Sequence, residues 1–418
     1  MSAFLGKAIY DAGLPASDID GVIEAAVRSH DARERNVAHG LIISAFPNRA
    51  EAWGAELIAK ARTQAWGDTA LLTILLALPI ARWTWDQVAK IGGEIETDYW
   101  HRTSVFWTSE DLGDIAYAIR QLIDVGRARH ALRLTYRGKG VDLPTELIVE
   151  VLEKAAHQPA ASDDNSDRNE ATMFQHCVAE TLGILDERED VDRDALIKLE
   201  WNYLQLLEHS RRPAKALLRA LSEQPSLFID MLKAIFLPSE ESGIIEPEPA
   251  DSAQAQAVAS QAYRLLSLWN RLPGTRENGT LDGAVLESWI KEARAQAKAV
   301  GREDIADHKI GEMLSASATG ADGNWPAEAV RDVLDLFRSK PMLAGFQTGK
   351  SNRRGVTTRM PRDGGEQERT LSAQYRAWAK AVSFAYPHTA KALDGLAERY
   401  DEDARRYDDD VKRLDWEA

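Results

Sequence analysis

The chain has a single cysteine, Cys177, so neither an internal disulfide nor a multi-cysteine zinc site can hold it together. Long apolar runs are missing too. The longest, 70–81, contains Thr73 and Pro79 and falls short of the ~20 residues of a spanning helix, so it reads as a buried helix and no membrane contact is expected. The opening residues lack the basic start, apolar stretch and small-residue cleavage site of a secretory signal, and a cytoplasmic setting is expected. Basic charge is in short supply. Lys and Arg number 51 against 66 Asp and Glu, and the net charge of −15 opposes broad attraction to nucleic acid or anionic lipid. Alternating strand patterns are almost absent.

What is present is helical periodicity. Apolar residues recur at three- and four-residue spacings in Ile115, Ile119 and Leu122, in Tyr203, Leu206 and Leu207, and in Leu371, Tyr375, Trp378 and Val382, each marking one buried helix face. Pro144 behind Asp142, and Pro326 after Asn324, look like first-turn prolines. Gly126 and Gly301 each close one periodic segment ahead of another, in the related words Val125-Gly126-Arg127 and Val300-Gly301-Arg302. No regular repeat period emerges. The expected fold is therefore all-α, an irregular solenoid-like array of stacked helical hairpins, with one short β-hairpin near 353–360. Two polar or acidic stretches, 157–170 and 237–257, divide it into helical blocks 1–157, 171–236 and 258–418. Whether these blocks fold separately or pack as one superhelix stays open.

Motifs for chemistry are few. Gly345-Phe346-Gln347-Thr348-Gly349-Lys350-Ser351 ends like a phosphate-binding loop, but it has three residues between its glycines where a Walker loop needs four, and a helical segment precedes it. Asp190, Asp192 and Asp194 open like a calcium loop, yet Ala195 and Trp201 stand where Gly and Glu are needed, so helix capping explains them better. Glu94, Glu96, Asp98 and His101 lack recognised metal spacing. His176 beside Cys177 has no further ligand nearby. No catalytic residue, metal ligand or cofactor is assigned. Trp83 and Trp85, two apart on a helix, cannot share a face, so one of them is expected to meet solvent, a neighbouring block or a partner.

The clearest anomaly is a basic Gly-rich loop, 345–365, which between Gly349 and Arg362 carries Lys350, Arg353, Arg354, Arg359 and Arg362 and no acidic residue. Arginine forks suit carboxylate or phosphate. Carboxylates of this same chain, or of a partner, are favoured over nucleotide or nucleic acid as their ligands.

Three blocks, 198–228 ("KLEWNYLQLLEHSRRPAKALLRALSEQPSLF"), 272–283 ("LPGTRENGTLDG") and 345–379, resemble the α-helical C-terminal region of large bacterial multidomain proteins. The resemblance implies a sensor or scaffold part, and some bacterial proteins with such helical arrays act in antiphage defence by binding a phage protein. It carries no catalytic residue. The expectation is a non-catalytic recognition or scaffold protein that binds another protein, either a companion subunit or a phage protein. The alternative is a nucleotide- or nucleic-acid-binding enzyme or switch using the basic loop.

Overall fold

A computed structural model describes residues 2–104, 112–137, 142–158, 167–247, 251–355, 358, 360 and 363–417. The described residues are overwhelmingly helical and form no strand; one isolated antiparallel bridge joins Thr275 to Leu281. The all-α expectation therefore stands. The short hairpin expected near 353–360 does not form among the described residues there. Arg353 and Arg354 instead close the last turn of a helix, and Gly355 turns the chain at φ 69°. No helix among the described residues is long and apolar enough to cross a membrane.

The chain divides into two compact units, Met1–Arg212 and Pro213–Ala418, with the division falling inside the block read as 171–236. The first unit comprises α1 (Ser2–Asp11), α2 (Ala16–Val27), α3 (Ala32–Thr63), α4 (Asp68–Ala77), α5 (Arg82–Ile91), α6 (Gly93–Arg102), α7 (Leu112–Asp124), α8 (Ala128–Arg137), α9 (Thr145–His157), α10 (Asp167–Asp186), α11 (Arg193–Asn202) and α12 (Leu204–Leu207). The apolar run 70–81 lies largely in α4, whose Ala70, Leu71, Leu72, Ile74, Leu75 and Ala77 are all buried. Helix α3 is broken. Pro47 offers no backbone donor, and at Ala50 the backbone leaves the helical region (φ 60°, ψ −173°). Helix α1 rests directly on α3, because a Cβ on Gly6 would lie 2.3 Å from the Val37 carbonyl oxygen, so only hydrogen fits. Trp85 is fully buried, while Trp83 is half-buried and its ring lies 5.8 Å from Phe46 on α3.

The second unit comprises α13 (Lys215–Glu223), α14 (Pro225–Ile235), α15 (Ser252–Leu268), α16 (Gly283–Ala299), α17 (Glu303–Leu314), α18 (Glu328–Phe337), α19 (Lys340–Asn352), α20 (Glu366–Val382) and α21 (Pro387–Glu417). The related words around Gly126 and Gly301 build one device twice. Each glycine is left-handed (φ 75° and 66°), and the following arginine amide donates to the carbonyl five residues back, Arg127 to Leu122 at 2.7 Å and Arg302 to Ala297 at 2.8 Å. Each arginine side chain then caps an earlier helix end. Arg127 donates to the carbonyls of Trp100 and Thr103, both at 2.7 Å, and Arg302 to that of Phe236 at 2.8 Å. Arg302 also grips Glu246 of the acidic 237–257 stretch at 2.6 and 3.0 Å. The two first-turn prolines sit earlier than expected: Pro144 is the N-cap of α9, and Ala327 rather than Pro326 caps α18.

Candidate functional site

The Gly345–Ser351 motif lies wholly inside α19, so no phosphate loop forms. Its glycines serve another purpose. A Cβ on Gly345 would sit 1.9 Å from the His308 carbonyl oxygen, one on Gly349 2.7 Å from the Cα of Glu312, and one on Gly311 of α17 2.0 Å from the Met342 carbonyl oxygen. Three missing side chains thus bring the backbones of α17 and α19 into contact.

That contact fixes what lies at the C-terminal end of α19. Lys350 places its ammonium 4.3 Å from the centre of the Trp325 ring. Trp325 stacks on Phe346 at 4.9 Å, meets Tyr375 edge-on at 6.0 Å and donates its indole N–H to the Ser317 carbonyl at 2.8 Å. Arg353, one turn after Lys350, donates to Ser315 Oγ and to the Trp269 carbonyl, both at 3.1 Å. Burial, and then the neighbouring Arg353, push the Lys350 ammonium below its usual pKa; burial likewise lowers Arg353, opposed by the Glu312 carboxylate. The helix C-terminus offsets part of this cost through its partial negative charge. Among the described residues, neither Lys350 nor Arg353 has a carboxylate within ion-pair distance.

Arg354 is different. It is paired with Glu368 of α20, whose side chain is fully buried, and its guanidinium lies 5.1 Å from the Tyr400 ring. The structure therefore separates the basic residues into Arg354, committed to a carboxylate of this chain, and Lys350 with Arg353, which carry charge without such a mate. Arg359 and Arg362 lie outside the described residues.

The other candidates take structural places. Asp192 caps α11 by accepting from the Asp194 amide at 3.2 Å. Glu94, Glu96, Asp98 and His101 line up on α6, and no group of three or more His, Cys, Asp or Glu among the described residues could hold a metal ion. Cys177 is buried, and His176 Nε2 lies 2.9 Å from the Tyr136 hydroxyl. Sequence reasoning missed the glycine contact and the Trp325 cluster. The four-residue glycine spacing and the aromatic Tyr375 and Trp378 were the available signals.

Fold and site together define an all-α protein with a cationic helix end set on an aromatic base. No family model, curated protein or solved structure matches the chain.

Proposed function

We propose that the chain is a recognition protein, and that Lys350 and Arg353 hold an acidic segment of a protein partner. One observation carries this reading. Among the described residues of a chain with 66 acidic side chains, Lys350 and Arg353 have no carboxylate within ion-pair distance, and a partner's carboxylates would complete them. The Trp325 ring beneath Lys350, and the Ser315 and Trp269 acceptors of Arg353, hold the two side chains in place, so little side-chain freedom is lost on docking. The net charge of −15 opposes nucleic acid and acidic peptide alike at long range, so the proposed contact rests on the local charge of Lys350 and Arg353. The resemblance to helical regions of bacterial multidomain proteins supplies the setting: a sensor or accessory subunit of a defence system, in the cytoplasm, bound to a companion subunit or a phage protein.

The burial of Gly345 and Gly349 against α17 leaves the nucleotide alternative without a phosphate loop. A thermal-shift panel separates the two readings. A glutamate-rich peptide at ~100 times its dissociation constant should add about 2.7 kcal/mol to the folded state and raise the melting temperature, whereas ATP or GTP with Mg²⁺ should not. A shift with nucleotide and none with peptide would reverse the assignment.

A further inference from the structure

The first unit contains a cleft of about 600 Å³ where the break in α3 meets the ends of α4 and α6. That volume falls within the ~300–1,000 Å³ of small-molecule sites. Its walls are mostly apolar and include Ile43, Phe46, Leu76, Leu78 and Ile80. His39 keeps this wall uncharged. Burial lowers its pKa, and its Nε2 lies 3.2 Å from the Leu76 carbonyl, which requires that nitrogen to carry the proton and donate. One end carries a guanidinium. Arg102 lines the cleft with its side chain largely exposed, and Asp98, its ion-pair partner, is 3.5 Å away. Arg127 brings a second guanidinium up behind Thr103, another lining residue, and donates to the carbonyls of Trp100 and Thr103. No carboxylate is among the described lining residues.

From this we infer that the cleft binds a small amphipathic carboxylate, its apolar body against Phe46, Leu76 and Leu78 and its anionic head on Arg102. The inference is independent of the proposed protein-recognition site, which belongs to the other unit. An apolar cavity with a guanidinium at its rim favours an anionic group on a hydrocarbon body over a fully apolar ligand, because the carboxylate adds a contact to Arg102 in competition with Asp98.

Isothermal titration of the full chain with decanoate, kept below its micelle-forming concentration, and with decanol tests this directly. Decanoate should bind at one site, at least tenfold more tightly than decanol. Arg102→Gln should weaken decanoate at least tenfold and leave decanol unchanged. Ile43 is half-exposed at the cleft, so Ile43→Trp should preserve the helical circular-dichroism signal while filling the space and weakening both ligands at least tenfold. Absence of decanoate binding, equal affinity for the two ligands, or undiminished decanoate affinity in either variant would overturn the inference.

Discussion

Arg354 and Lys350 sit four positions apart on one helix end, yet the structure gives them opposite roles, and substitution should expose the difference. Removing the Arg354 guanidinium takes an ion-pair partner from the fully buried Glu368, so Arg354→Ala should destabilise the fold by up to about 3–5 kcal/mol in urea unfolding. Lys350→Gln removes an ammonium that has no such mate and should cost far less. His130 provides a pH readout. Burial, with help from the Arg127 and Arg133 guanidiniums, pushes its pKa down to about 4 from an ordinary value of 6.5. Between those values the unfolded chain takes up a proton that the folded chain refuses, so stability contributed by neutral His130 is lost as pH falls from about 6.5 to 4. His130→Gln should flatten the melting-temperature profile across that window, and an NMR titration placing the His130 midpoint near 6.5 would contradict the assignment.

Helices α17 and α19 show how element packing can reverse an intrinsic preference. Alanine is favoured over glycine inside a helix by about 1 kcal/mol, yet Gly345→Ala must force a methyl group into the His308 carbonyl and should cost ~1–3 kcal/mol. Gly183, inside α10 with open space around its Cβ position, is the control: Gly183→Ala should stabilise by up to ~1 kcal/mol. Denaturant midpoints that move the same way for both variants would show that α17 and α19 are not in backbone contact. Much at this scale was legible in the chain itself. The burial of Ile115, Ile119 and Leu122, the left-handed Gly126 and Gly301, and the capping role of Asp192 follow from local spacing, because each is settled within one or two helical turns. The glycine contact was not legible. Gly345 and Gly349 carry the same letters whether they cradle phosphate or admit a neighbouring helix, and only the placement of Gly311 decides. Arg353 is a further case, since its carbonyl partner on Trp269 is 84 residues away and no local pattern announces that pairing.

At the scale of the whole molecule, the division between Arg212 and Pro213 leaves each unit with its own buried core, built on Trp85 and Trp100 in the first and on Phe228, Trp269 and Phe346 in the second. Expressed separately, 1–212 and 213–418 should each give a helical spectrum and a cooperative thermal transition; a non-cooperative melt from either fragment would show that the core is shared. Helix content was readable from periodicity, but the point of division was not. It falls beside Arg212, whose guanidinium is tied to Asp186 and to the fully buried Glu200, contacts that close the first unit through side chains distant in sequence. Recognition by the basic helix end is the claim on which the functional reading depends. Its most direct test is fluorescence anisotropy of a labelled glutamate-rich peptide against the full chain, the Lys350→Gln/Arg353→Gln double variant, and Arg376→Gln, which alters an exposed cation already paired with Asp401. The double variant should bind at least tenfold more weakly, a loss of about 1.4 kcal/mol, with Arg376→Gln unchanged; equal affinity across all three proteins would contradict recognition at this site.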